Sequence, residues 1–237
     1  MKIKSVVFIA FLTAASAHAA TVASDVASNG AYGDGWQTGD NGGSGFGSWT
    51  LSSTGDGGRY IGATGQGGTS FGLYSGTSGT STASRGFTGG ALTVGQTFLI
   101  DLGHTTNIAS GNDIGLLLTD NGSTVFTLKF VGNDSGWKLN DGGSDFGAGQ
   151  DYVANTSLSF SFTYEGSNKY SYTFGTGSGS NYTATNTISN INGFVLFNNN
   201  QGNGENLGAN NISIVPEPAS AALGLLGVGL LLRRRRI

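Results

Sequence analysis

The chain of 237 residues has two histidines, His18 and His104, and no cysteine. A zinc site of the usual kind draws its ligands mainly from Cys and His, so none is expected. A Ser-His-Asp triad would have to use His104 as its base, because His18 falls in an apolar N-terminal leader. Serines abound, yet no Gly-x-Ser-x-Gly stands between a strand and a helix, so the nucleophile elbow is missing. His104 follows Asp101-Leu102-Gly103 and reads as a surface or strand-end residue. Glycoside hydrolysis needs two facing carboxylates about 5 to 10 Å apart. Glu165 falls in a turn and Glu205 in the loop 201–206, so both read as solvated turn acids. No catalytic residue and no metal ligand is assigned.

Oxygen ligands are denser at Asp141-Gly142-Gly143-Ser144-Asp145, with Asn140 and Asp134 nearby. Calcium takes six to eight oxygens in loose geometry, which leaves a structural calcium ion open as an alternative. The same residues are ordinary turn formers, and the segment lacks a D-x-D-x-D-G or G-G-x-G-x-D repeat. No cofactor is expected. Trp36, Trp49 and Trp137 lie near expected loops, and a tryptophan face is a good surface for stacking a sugar. Trp36, in Gly33-Asp34-Gly35-Trp36-Gln37, is the one least explained by strand burial. Packing in the core or at its rim is the favoured reading for all three.

The elements that would hold these groups are strands. Leu158, Phe160, Phe162 and Tyr164 alternate with Ser159, Ser161 and Thr163; after a turn, Tyr170, Tyr172 and Phe174 alternate with Ser171 and Thr173. Period two in neighbouring runs around a glycine-containing turn predicts a β-hairpin. Phe126, Leu128 and Phe130 predict another strand over 124–131, followed by a turn and Trp137-Lys138-Leu139. Asn121-Gly122 predicts a type I′ turn ahead of it. Further strands are expected at 97–102, 113–118, 182–188, 193–197 and 210–215, with short ones at 49–51, 59–61, 69–74 and 84–88. No stretch of the body has a helical period, and no fixed repeat supports a parallel β-helix.

Composition agrees with an all-β body. Glycine is abundant, with 43 residues, but aromatic residues make up 11%, more than disordered chains carry. Six of the eleven basic residues lie near the ends, at Lys2, Lys4, Arg233, Arg234, Arg235 and Arg236. That leaves five bases against thirteen acids in residues 20–215, a net charge near −8. Such a body is a poor partner for nucleic acid or an anionic membrane surface.

The two ends carry signals. Lys2 and Lys4, an apolar core from Val6 to Leu12 with Ala14 and Ala15, and the Ala17-His18-Ala19 site ahead of Ala20 have the layout of a secretory signal peptide. At the other end Pro216-Glu217-Pro218 leads into an apolar stretch, residues 219–232, and then four arginines. A helix of about fourteen residues spans about 21 Å, short of the roughly twenty residues of a comfortable span. It is apolar on every face, however, and flanking arginines extend its reach. The positive cluster marks the cytoplasmic side of a membrane stop. This order of triplet, apolar helix and basic stop resembles the PEP-CTERM sorting signal of Gram-negative bacteria. The resemblance covers the final tenth of the chain. It implies recognition at Pro216, Glu217 and Pro218 by an exosortase-type processing protease and association with exopolysaccharide or biofilm material.

The expectation is therefore an antiparallel β-sandwich, resembling the jelly-roll domains common among PEP-CTERM proteins. A signal helix would precede it and a transmembrane helix follow it. Residues 1–19 form the signal peptide, 20–215 the sandwich and 216–237 the sorting and anchor segment. The general secretory machinery would export the chain. Residues 219–232 would hold it in the inner membrane, facing the periplasm, until processing sends it to the cell surface or beyond. The function expected is that of a non-enzymatic surface or matrix protein. A carbohydrate-binding module is the first alternative and a secreted polysaccharide hydrolase the second.

Overall fold

The computed structural model describes residues 22–64, 67–105, 108–199 and 206–216. Ala17, Ala19, Ala20, Glu205, Glu217, Pro218, the apolar stretch 219–232 and Arg233, Arg234, Arg235 and Arg236 lie outside the described residues. Among the described residues no helix is long and apolar enough to cross a membrane.

The described body is all-β, two antiparallel sheets packed as a jelly-roll-like sandwich. The first sheet has eight strands. In spatial order seven of them are β13 (Gly177–Thr183), β12 (Lys169–Phe174), β11 (Leu158–Gly166), β6 (Thr97–His104), β15 (Asn206–Val215), β4 (Thr69–Tyr74) and β3 (Gly58–Ala63). The eighth, β1 (Ala23–Asp25), pairs with β15 beyond the end of β4. The second sheet has seven strands, ordered β10 (Phe146–Asp151), β9 (Gly136–Asn140), β8 (Ser123–Val131), β7 (Asp113–Asp120), β14 (Gly193–Asn199), β5 (Thr80–Gly86) and β2 (Thr50–Thr54). A single 3-10 turn, Gly30–Tyr32, is the one helical element among the described residues.

Alternation decides which face each strand buries. Phe98, Ile100 and Leu102 of β6 and Phe160 and Phe162 of β11 share one buried cluster with Phe126, Leu128 and Phe130 of β8 and Leu116 and Leu118 of β7. Each fully buried side chain of this size contributes about 1.5–3 kcal/mol relative to exposure. The Asn121-Gly122 turn has φ of 46° and 86°, both positive as type I′ demands. The β11–β12 hairpin closes in the same way at Ser167 (φ 49°) and Asn168 (φ 63°).

The strand expected over 182–188 ends at Thr183 instead. There the Asn168 side chain donates to the Ala184 carbonyl and accepts from the Ile188 amide, turning the chain toward the second sheet. The strand expected at 84–88 lies earlier, at Thr80–Gly86.

One polar knot ties the sheets together. Arg85 of β5 and Asp25 of β1 form an ion pair with both side chains wholly buried. The guanidinium also donates to the Gly47 carbonyl at 2.6 Å and to Asn41. Its carbon lies 5.2 Å from the Phe46 ring centre and 5.0 Å from that of Trp49. The Tyr32 hydroxyl donates to Asp25 and accepts from Trp49 Nε1. Burial first, and the neighbouring carboxylate second, push the Tyr32 hydroxyl up to about 12.

Candidate functional site

The first sheet ends at β3, and an open cleft wraps this edge strand. The register sets Gly58 opposite Tyr74 and Tyr60 opposite Gly72, with Arg59 and Ile61 on the other face. An added Cβ at Gly72 would lie 2.5 Å from the Tyr60 ring, and one at Gly58 would lie 2.3 Å from the Tyr74 hydroxyl. The two glycines therefore let both rings lie across the neighbouring strand. The ring centres are 6.2 Å apart and the planes 38° apart. Tyr60 is fixed by a 2.9 Å bond between its hydroxyl and Thr64 Oγ1. Tyr74 is 40% exposed.

On the other face of β3, Arg59 Nε donates to the Trp36 carbonyl at 3.2 Å, leaving the terminal guanidinium nitrogens toward solvent. The cleft has a volume of about 750 Å³, and Asp34, Gln37, Ser53, Arg59, Tyr60 and Tyr74 give it its chemical character. Among its described lining residues Asp34 is the one carboxylate and Arg59 the one cation. Two ring faces, paired donors and acceptors and balanced charge suit a hydroxyl-rich ring with apolar faces. A single carboxylate does not furnish the acid and base of glycoside hydrolysis.

The tryptophans take the favoured reading, packing in the core rather than forming an exposed platform. Trp36, Trp49 and Trp137 are 3%, 1% and 1% exposed. Trp36 folds back so that its ring meets Trp49 edge-on at 4.9 Å and Phe71 at the same distance. Core packing wins because burying these rings outweighs any cost of bending a glycine-rich loop inward. His104 does end a strand, but inside rather than at the surface. It is fully buried, its ring centre 4.6 Å from that of Tyr152 and 6.1 Å from that of Phe130.

The oxygens around Asp141 are already engaged. Asp141 accepts from the Tyr170 hydroxyl at 3.0 Å, Asp145 pairs with Lys129 at 2.9 Å and Asp134 with Lys138 at 2.8 Å. Partial burial alone would raise the Asp145 carboxyl, but bonds from Asn140 and Lys129 outweigh it and hold the group below its usual range. Among the described residues no group of three or more His, Cys, Asp or Glu could hold a metal ion. Glu165 is exposed at the end of β11 and accepts from Ser171 Oγ.

Sequence reasoning missed Tyr60 and Tyr74. The only signal was a tyrosine near glycines in each of two strand candidates, and its meaning depends on the β3–β4 register.

No family model and no curated protein matches the chain. Solved structures do share its architecture. A carbohydrate esterase from the Shiga toxin-encoding bacteriophage phi24B superposes with a TM-score of 0.50 at 13% identity, covering 71% of this chain and 90% of that one. The globular domain of T. cruzi calreticulin gives 0.49 at 8% identity, covering 71% and 84%. A Caenorhabditis elegans galectin gives 0.41 at 12%, covering 53% and 85%. At these identities the likeness is one of fold.

Proposed function

We propose that this is an exported, non-enzymatic cell-surface or matrix protein whose sandwich binds carbohydrate through the Tyr60–Tyr74 cleft. One observation carries the binding reading: an open cleft in which two tyrosine rings are propped over glycines beside one cation and one carboxylate. The export and sorting half of the reading rests on the two ends of the sequence. A signal cleaved ahead of Ala20 would deliver the chain. An exosortase-type protease would act at Pro216, Glu217 and Pro218 while the arginines hold the tail. Among the described residues the strand pairing runs from Ala23 to Val215, within the body expected between the two signals.

The test of binding is affinity electrophoresis in gels cast with neutral glucans, mannans and galactans and with the host's own exopolysaccharide. One of these polymers is expected to retard the protein. Tyr74→Ala removes one ring face, worth about 1 kcal/mol, and is expected to weaken binding about fivefold with the fold intact. Equal retardation of wild type and a folded Tyr60→Ala/Tyr74→Ala variant would sink the assignment of this cleft.

A further inference from the structure

We infer that the protein carries a second glycan site on the opposite edge of the sandwich and joins two polysaccharide segments, an inference that rests on the sugar-binding reading of the Tyr60–Tyr74 cleft. β3 and β2 end their sheets on one side, and β13 and β10 end them on the other. Six strand intervals of about 4.8 Å place the two edges about 29 Å apart.

The far edge repeats the chemistry of the near one. Phe162, Tyr170 and Tyr182 form a run of nearly parallel rings, with centres 5.2 and 5.6 Å apart and planes 14° and 21° apart. The run starts in the core and ends at the surface, where Tyr182 is 39% exposed and stacks on Phe146 at 5.8 Å and 24°. The buried rings hold the outer pair in place, so little ordering remains when a sugar stacks on it. Phe146 also lines a cleft of about 480 Å³. Gly147, opposite Lys138 in the β9–β10 pairing, puts no side chain into that cleft. Of its three lining carboxylates, Asp134 pairs with Lys138 at 2.8 Å and Asp145 with Lys129, outside the lining, at 2.9 Å, while Asp151 is in neither ion pair. The paired groups offer hydrogen bonds, and the further carboxylate of Asp151 makes the cleft lean acidic, which disfavours an acidic sugar. Both clefts thus select a neutral, hydroxyl-rich ring, which also accords with a body too acidic to attract an acidic polymer.

Two sites on opposite edges bind separate chain segments, and the second attachment becomes effectively intramolecular once the first is made. The experiment is calorimetric titration of the full chain in detergent micelles. The probe is the tetrasaccharide of whichever neutral polymer retards the protein most. Wild type is expected to take up about two tetrasaccharides per chain, as a bivalent binder must. Tyr60→Ala/Tyr74→Ala, which strips both rings from the near site, should reduce the number by half, and Tyr182→Ala should weaken one of the two sites about fivefold. Gly147→Leu provides a second, independent block of the far site. A Cβ there meets nothing within 4 Å, so the added side chain fills the cleft without disturbing the fold. One tetrasaccharide per chain, lost with Tyr60→Ala/Tyr74→Ala and indifferent to Tyr182→Ala and Gly147→Leu, overturns the second site and leaves the first reading standing. Failure of every polymer to retard the protein overturns both.

Discussion

Of the five basic residues in 20–215, Arg85 is committed to the interior. Its charge sits between two aromatic rings and against Asp25, far from water. Such a pair does little for net stability when compared with an apolar replacement, but breaking it leaves an uncompensated buried charge. Arg85→Ala is therefore expected to cost about 3–5 kcal/mol, measured as a loss in urea-derived unfolding free energy. A change of under about 1 kcal/mol, the scale of an exposed pair, would show that water reaches Asp25. The same knot predicts a response to alkali. The Tyr32 hydroxyl is raised from the 10.0 of a free tyrosine side chain to about 12 in the fold. A group whose folded value lies above its unfolded one supports the native state fully below the unfolded value. That support is lost as pH rises toward the folded value. Stability should accordingly fall between about pH 10 and 12, by as much as roughly 2–3 kcal/mol from this hydroxyl. Tyr170, also raised, chiefly by burial, adds to the slope. Melting curves across that range for wild type and Tyr32→Phe check it; the variant starts lower and loses less. Parallel curves would remove Tyr32 as the source.

At the scale of elements, turns carry predictions that side-chain contacts do not. Gly122 has φ of 86° and open space around the position of a Cβ. Replacing it with Ala meets no neighbour, so the whole penalty is the left-handed backbone, about 1–2 kcal/mol. Gly147 also has open space and lacks that conformation, so Gly147→Ala should be near neutral. Chemical denaturation of the two variants separates backbone strain from packing, and equal losses would refute the distinction. The strands that the sequence made legible are those in which large apolar residues alternate with Ser or Thr, such as β11, β12 and β8. The three that escaped it, β1, β10 and most of β13, read Ala-Ser-Asp, Phe-Gly-Ala-Gly-Gln-Asp and Gly-Ser-Gly-Ser-Asn-Tyr-Thr. Their extended state comes from the neighbour they pair with, which local periodicity does not encode. The candidate site was hidden for the same reason: Tyr60 becomes a platform only because register sets it against Gly72. The tryptophans follow the favoured core reading, Trp36 through a loop that folds onto Trp49 and Phe71.

For the molecule as a whole, the two ends of the described body meet. Ala23 pairs with Ile214, and the Val22 amide donates to the Ile214 carbonyl at 2.8 Å. The neighbours of the expected signal peptide and of the expected tail thus leave the fold on adjacent antiparallel strands. β15 is also an interior strand, bonded to β6 as far as Val215 opposite Thr97. Cutting within it would sever a strand that pairs with β6, β4 and β1, so removal of the tail from the folded protein is expected after Val215. That fixes a mass. A released species should begin near Ala20, end no earlier than Val215 and lack the apolar tail. Intact mass spectrometry of medium and membrane fractions from the native host measures this directly. A chain carrying Pro216→Ala, Glu217→Ala and Pro218→Ala together should keep its tail and stay with the inner membrane. Its sandwich should remain folded, because among the described residues the strand ladder ends at Val215. Release of the triple variant at the wild-type mass and yield would dismiss the triplet as a sorting signal. The sandwich would then stand on a plain anchor, with the proposed glycan sites to be judged on binding alone.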